Sequence, residues 1–270
     1  MEKSNMKKSN YKLKTLFFGA SRFVIPVLKI LKQNLDLAAV YTTEQNPSNP
    51  VIAYCRSNNI PYVSISKFTS PILEDIKSIN APVAILASFG VILPQEILSI
   101  FPKGILNIHP SLLPKYRGTT PVQSAILNGD AISGVTIIKL DEQMDHGPIL
   151  SQEIEPIHPD DTTESLQLRL FIKGAELLIH TLPEYLSEKV KLKDQNENQA
   201  TYTNSALSRN DGFFDIFNPP PKEQLQSMIR AYYPWPGVWT LLDTIDAGST
   251  GSKTQKIVKF LPYSHAKFCL

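Results

Sequence analysis

Residues 104–118 read GILNIHPSLLPKYRG and combine the end of an apolar run with the loop that follows it. The run ends on Asn107 and His109, and side chains two residues apart on a strand share a face. Pro110 favours an extended backbone at His109. An amide and an imidazole therefore project side by side at the carboxyl end of a strand, where open α/β sheets bind ligands.

Upstream of this stretch, short apolar runs alternate with helical patterns from residue 13 onward. Such alternation is typical of βαβ units and predicts an α/β fold with a mostly parallel sheet. Downstream, two alternating runs predict antiparallel strands at a sheet edge, and the capping residues 160–164 begin a long amphipathic helix that ends near residue 187. The predicted strands are 13–18, 37–41, 62–64, 82–88, 104–109, 133–140 and 149–157, and the helices among the parallel strands are 24–33, 50–58, 70–79 and 94–100.

The polar segment 189–206 divides the chain in the sequence-based prediction. It is rich in Lys, Asn, Gln and Glu, which is the composition of a linker between two packed units. We therefore predict a flexible tail at 1–12, one domain at 13–188 and a small second domain at 207–270. The second domain is predicted to hold a helix at 222–232 and two strands, 238–242 and 256–261, joined by a hairpin loop rich in Gly, Ser and Thr.

Composition narrows the possible functions of this 270-residue chain. A net charge of +2 lacks the basic excess of a broad nucleic-acid surface, so any RNA contact is expected to be local. Cys55 and Cys269 have neither the spacing of a disulfide framework nor that of a zinc site, which predicts no metal and fits a reducing cytoplasm. The apolar run 15–18 is too short for a signal sequence or a membrane span, so no membrane partner is predicted.

Two neighbouring features favour a catalytic role for Asn107 and His109. For the pair alone, a structural role is favoured, in which Asn107 caps the strand end and His109 is a core histidine. The loop after it adds two prolines and the cation Arg117 to a pair suited to stabilising an oxyanion and moving a proton. Asp145 lies in a turn between two predicted strands, where Asp is also a common turn residue. A carboxylate there would orient the imidazole and favour its protonated form.

Three segments, 104–118, 134–136 and 144–148, resemble the N-formyltransferases that use 10-formyltetrahydrofolate. The resemblance implies that Asn107 holds the formyl oxygen, that His109 assists proton transfer and stabilises the oxyanion, and that Asp145 positions and polarises the histidine. It implies 10-formyltetrahydrofolate as co-substrate. The residues that the resemblance assigns to folate binding are Phe89, Gly90, Ile92, Ser111, Leu112, Pro114, Lys115, Tyr116 and Arg117.

Segments 16–28, 199–212 and 229–237 narrow this resemblance to the methionyl-tRNA formyltransferase family. It implies a Rossmann-like formyltransferase domain and a truncated OB-like β domain at 207–270. It also implies a cytoplasmic, monomeric enzyme that formylates the amino group of initiator methionyl-tRNA for translation initiation. A sugar-nucleotide N-formyltransferase is the alternative, because those enzymes also carry C-terminal appendages. A folate- or RNA-binding module that has lost catalysis is a third reading.

Two departures from that family concern its tRNA. The tRNA enzymes usually carry a longer, basic loop after the second strand, whereas the connection 42–50 contains neither Lys nor Arg. The tail 207–270 contains seven Lys and Arg against five Asp and Glu, and it is short for a closed five-stranded barrel. The sequence therefore predicts tRNA binding that is weaker or differently placed than in longer relatives.

Overall fold

The described part of this computed structural model comprises residues 12–203, 206–245 and 253–263. The chain divides into two units, Met1–Leu106 and Asn107–Leu270. Their boundary falls inside the domain predicted for residues 13–188, and the predicted bounds of the linker and of the second domain stay predictions. The predicted hairpin loop and all but the last residue of the predicted tail lie outside the described residues.

Buried apolar strands and intervening helices build the first unit. Its strands run in the order β3-β2-β1-β4, and each neighbouring pair is parallel. Leu16, Phe17 and Phe18 of β1 are fully buried, as expected for a strand covered on both faces. These elements are β1 Lys14–Phe18, α1 Ile25–Asn34, β2 Asp36–Thr42, α2 Pro50–Ser57, β3 Tyr62–Ser64, α3 Ser70–Ile79, β4 Val83–Leu86 and α4 Gln95–Leu98. The predicted α/β alternation with a mostly parallel sheet is confirmed.

The second unit carries the strand end from which Asn107 and His109 project. Strand β5, Ile105–His109, begins in the first unit, and its last three residues belong to the second. It is followed by helix α5, Pro121–Leu127, which the sequence did not predict, and by β6, Ile132–Lys139, and β7, Ile149–Pro156. The pair β6 and β7 is antiparallel, as predicted.

Helix α6, Thr163–Leu186, covers this part of the sheet. It begins with a capping box formed by Thr162 and Ser165, which satisfies backbone N–H groups that the first turn leaves open. A Cβ at Gly174 would overlap methyl groups of Ile108 and Val135, so the helix lies directly against β5 and β6. This close packing fixes the strand that bears the polar pair.

The described residues after 206 include a helix and a two-stranded antiparallel sheet. They are α7, Lys222–Ala231, β8, Val238–Ile245, and β9, Lys253–Phe260. The Thr163 hydroxyl donates to the Ala231 carbonyl at 2.6 Å, which attaches α7 to the start of α6. The small antiparallel sheet was predicted, but the OB-like domain is not confirmed, because this sheet has only two strands within the described residues. Within those same residues, none of the helices has the length and apolarity to cross a membrane.

Candidate active site

The polar pair lies at the end of a fully buried strand. Asn107 is 5% exposed and His109 is 4% exposed. The Ser111 N–H donates to the His109 carbonyl at 2.9 Å, so the chain turns immediately after the strand. The strand thus delivers an amide and an imidazole to its carboxyl end, where water is largely excluded and their hydrogen bonds are correspondingly strong.

Asp145 joins this pair from the loop between β6 and β7. Its Oδ1 accepts from Asn107 Nδ2 at 3.2 Å and lies 3.4 Å from His109 Nδ1. Its Oδ2 accepts from the backbone N–H of Gly118 at 2.8 Å. The structure therefore brings together the three side chains that the sequence placed in the catalytic set, and it adds a backbone donor that the sequence did not indicate.

The surroundings of His109 favour its protonated form. Its Nδ1 faces the Asp145 carboxylate, and its Nε2 lies 3.0 Å from the Tyr116 carbonyl oxygen, so acceptors face both nitrogens. Burial lowers the pKa of His109, but the charge and hydrogen bond of Asp145 and the Tyr116 carbonyl outweigh it, and the net pKa is raised. Burial also raises the pKa of Asp145, yet His109, the Gly118 N–H and Arg117 bring its net pKa below the usual value.

Local backbone geometry fixes the Asp145 loop. Asp145 has a φ of 51°, in the left-handed region that Asp tolerates better than most residues. Two residues later, a Cβ at Gly147 would overlap the Lys139 carbonyl oxygen, and the Lys139 N–H donates to the Pro148 carbonyl at 3.0 Å. The loop closes only because Gly147 has no side chain, and this closure aims the carboxylate back at β5.

Side chains from β6 and β7 hold the loop that follows β5. The Thr136 hydroxyl donates to the Ser111 carbonyl at 2.6 Å and accepts from the Leu113 N–H at 3.1 Å. Gln152 Nε2 donates to the Leu113 carbonyl at 2.6 Å. The Ser111 hydroxyl is turned inward, to the Lys115 carbonyl at 2.6 Å. The carbonyl of Tyr116 that faces His109 thus belongs to a loop held from several sides.

Arg117 is buried, with 1% of its side chain exposed. Its guanidinium N–H groups donate to Gln195 and Glu197 at 2.6–3.0 Å and to the Tyr202 hydroxyl at 3.1 Å. These contacts engage each of its guanidinium nitrogens with residues of the segment predicted as a linker. The role assigned to Arg117 in folate binding stays a prediction, and the contacts observed are to its own chain.

Segment 193–203 lies along the site. Its Lys193 exchanges backbone hydrogen bonds with Ile149 at 2.8 and 2.9 Å, while Thr201 and Thr203 pair with the backbone of Arg117 at 2.8 Å. The sequence does not indicate these contacts, because a segment almost without apolar residues has the composition of a linker. Its polar side chains form hydrogen bonds to the catalytic loops.

The residues assigned to folate divide between the two units. In the first unit, Phe89 is 2% exposed and its ring centroid lies 5.4 Å from that of Phe18, whereas Ile92 is 73% exposed. Gly90 has a φ of 78°, a conformation suited to glycine. In the second unit, a cavity of about 580 Å³ is lined by Leu112, Pro114, Lys115, Tyr116 and Thr201, among others. Among the described residues, no group of three or more His, Cys, Asp or Glu side chains is arranged to hold a metal ion.

Comparison with known proteins identifies the family of this chain. A family profile described as formyl transferase matches residues 22–182, more than half of the chain. The chain belongs to the formyl transferase family. It is 37% identical over 239 residues to a methionyl-tRNA formyltransferase of Roseiflexus castenholzii, covering 84% of this chain and 75% of that relative.

Solved structures of formyl transferases share the fold. A 4-N formyltransferase from Francisella tularensis matches with a TM-score of 0.69 and 20% identity, covering 93% of this chain and 98% of that one. An N-formyltransferase from Helicobacter canadensis, solved with folinic acid and dTDP-3-aminofucose, matches with a TM-score of 0.65 and 20% identity, covering 93% of this chain and 100% of that one. Both matches extend beyond the profile-matched segment, and at this identity they establish the formyl transferase fold.

Proposed function

We propose that this formyl transferase moves the formyl group of 10-formyltetrahydrofolate to the amino group of initiator methionyl-tRNA, as a monomer in the cytoplasm. The single observation that supports the chemistry is the buried cluster of Asn107, His109 and Asp145, with contacts of 3.2 and 3.4 Å among them. The methionyl-tRNA assignment is supported by relatives of that name with up to 37% identity and three quarters of their length covered.

Each group of the cluster has a defined task in formyl transfer. The co-substrate supplies the formyl group, whose bond to folate nitrogen breaks as its carbon bonds to the substrate amine. An amide carries two N–H donors, and because Asp145 takes one from Asn107, we assign the other to the formyl oxygen. The imidazolium of His109 stabilises the negative charge that develops on that oxygen. His109 gives its proton to the folate nitrogen as the bond to the formyl carbon breaks, and the resulting imidazole accepts the proton that the substrate amine loses.

We propose folate-binding roles for loop residues in each unit separately. In the first unit, exposed Ile92 and the open space around Gly90 suit direct contact, whereas buried Phe89 packs against Phe18. In the second unit, the cavity of about 580 Å³ is lined by Leu112, Pro114, Lys115 and Tyr116. This volume lies within the usual range for small-molecule pockets. The inward hydrogen bonds of Ser111 and Arg117 fit a role in shaping this surface.

A substrate comparison tests the assignment. Purified protein is incubated with 10-formyltetrahydrofolate and either initiator methionyl-tRNA or an amino-sugar nucleotide, and release of tetrahydrofolate and the formylated product are followed. We expect turnover with the charged tRNA, with uncharged tRNA as the matched control. Turnover with only the amino sugar would replace the proposal by the sugar-nucleotide alternative, and turnover with neither would reject both.

Salt dependence tests how the tRNA is held. Each neutralised phosphate adds about 0.7 to 0.9 to the slope of log affinity against log salt. Because the connection around Gln45 and Ser48 carries no cation and the net charge is +2, we expect a slope smaller than about 4 in magnitude. Filter binding from 50 to 300 mM salt, roughly the range over which such slopes resolve, measures it.

The matched variant for this titration adds charge at the same place. Gln45 and Ser48 are exposed, so Gln45→Lys with Ser48→Lys introduces two cations without removing a buried contact. We expect the magnitude of the slope to rise by between about 1 and 2. A wild-type slope larger than about 4 in magnitude would show strong phosphate neutralisation elsewhere in the protein, which would contradict the expectation.

A further inference from the structure

Gln195 connects the catalytic loop to Arg117 through four hydrogen bonds. Its Nε2 donates to the backbone carbonyls of Asp145 and Gly147, each at 2.8 Å. Its Oε1 accepts from Arg117 Nε at 3.0 Å and from Nη2 at 2.8 Å. Both amide donors and the amide oxygen are used, so the side chain holds one orientation. A glutamine in a solvated linker would exchange its hydrogen bonds with water and would not be held in one orientation.

Arg117 anchors this glutamine at a fixed position. Its Nη2 donates to Glu197 Oε1 at 2.6 Å and its Nη1 to Oε2 at 2.9 Å, a two-point ion pair with geometric specificity. Its backbone N–H and carbonyl pair with Thr201 and Thr203, each at 2.8 Å. Because the guanidinium is buried and held on several sides, the Oε1 of Gln195 has a rigid partner. The position of the Asp145 backbone is thereby fixed relative to this partner.

We propose that Gln195 is a positioning residue for formyl transfer, which holds the Asp145 loop so that its carboxylate meets Asn107 and His109. The inference rests on the proposed function for its kinetic consequence. Asp145 has a left-handed φ of 51° and depends on contacts outside its own peptide to keep this conformation. The two carbonyls bound by Gln195 flank His146 and bracket the turn that follows Asp145.

The effect expected on the reaction follows from the geometry of the carboxylate. Asp145 Oδ1 serves both Asn107 and His109, so a displacement of its backbone weakens both contacts together. A shift of about 1 Å in a reacting constellation can reduce turnover by about 100-fold. Substrate binding by groups outside the cluster is left largely intact, so the loss falls on kcat rather than on KM.

The variant Gln195→Glu separates positioning from packing. A carboxylate of the same shape keeps the two acceptor contacts with Arg117 but lacks the N–H donors for the carbonyls of Asp145 and Gly147. We expect kcat to fall by about 10- to 100-fold with each KM within about 3-fold of wild type. Asn196→Asp is the matched control, because Asn196 is exposed and its side-chain oxygen, which accepts from the Asn198 N–H, is retained. Equal kcat for wild type and Gln195→Glu would overturn the proposal.

A second measurement is independent of any substrate. The pKa of His109 is followed by NMR titration of the imidazole in wild type and in Gln195→Ala, and the signal is assigned by its loss in His109→Ala. Because the nearby Asp145 carboxylate raises this pKa, we expect a lower value in Gln195→Ala. An unchanged value in a folded variant would overturn the proposal. If the wild type formylates no tested amine, this titration still decides whether Gln195 positions Asp145, so the two proposals fail separately.

Discussion

Alanine at position 109 is expected to lower kcat for formyl transfer by about 10²- to 10⁴-fold, the range for loss of a positioned proton-transfer group. The imidazolium lies between the Asp145 carboxylate and the Tyr116 carbonyl, where it can stabilise charge on the formyl oxygen and move a proton. Folate contacts made by the other loops are retained, so the dissociation constant for a folate analogue should change by less than about 5-fold. Steady-state kinetics and calorimetric titration measure the two quantities.

His180→Ala is the matched control for this substitution. His180 is an exposed residue near the end of α6, so its loss removes the same side chain from a solvated position. The substitution His109→Ala leaves the buried Asp145 carboxylate without its charged partner, which can destabilise the protein. Circular dichroism and thermal unfolding therefore check whether the variant keeps the fold. If a folded His109→Ala protein lost folate affinity as strongly as turnover, the histidine would be a binding group and not a catalytic one.

The parts predicted well from the sequence depend on local patterns. The parallel strands and their helices follow from apolar runs and from prolines in first helical turns, and the predicted ranges 62–64 and 70–79 coincide with β3 and α3. The meeting of Asn107, His109 and Asp145 was also predictable, because the first two end a strand and the third lies in a turn between strands of the same sheet. The spacing of apolar residues along the chain and the direction of the strands are sufficient for these predictions.

The parts that the sequence did not predict depend on distant partners. Arg117 bonds to Gln195 and Glu197, 78 and 80 residues away, and no local pattern distinguishes these polar residues from a solvated linker. Helix α5 has only seven residues, about two helical turns. The helical spacing of its apolar residues is therefore hard to recognise in the sequence. The OB-like domain was expected by resemblance alone, and the residues described there form a two-stranded sheet.

The substitution Asp145→Asn is expected to lower kcat by about 10²- to 10³-fold and to move the histidine titration to lower pH. The amide keeps the size of the side chain but removes the charge that favours the imidazolium, so the pKa of His109 falls toward its ordinary value of 6.5 or below, where burial then dominates. The limb of the pH–rate profile that reports His109 should shift to lower pH. Profiles of kcat from pH 5 to 9, about the range that brackets histidine titration, test this. A limb at the same pH in both proteins would show that it belongs to another group.

The same ion pair makes a prediction for stability against pH. The raised pKa of His109 gives stability that is complete below its ordinary value of 6.5 and is lost as pH rises through the folded value. The lowered pKa of Asp145 gives stability that is complete above its ordinary value of 3.8 and is lost as pH falls through the folded value. The difference in Tm between wild type and Asp145→Asn should therefore be largest between about pH 4 and 6.5 and shrink above that window. A Tm difference that stays constant up to about pH 9 would contradict the ion pair, because the His109 imidazole loses its charge as pH rises and its ion pair with Asp145 is then lost.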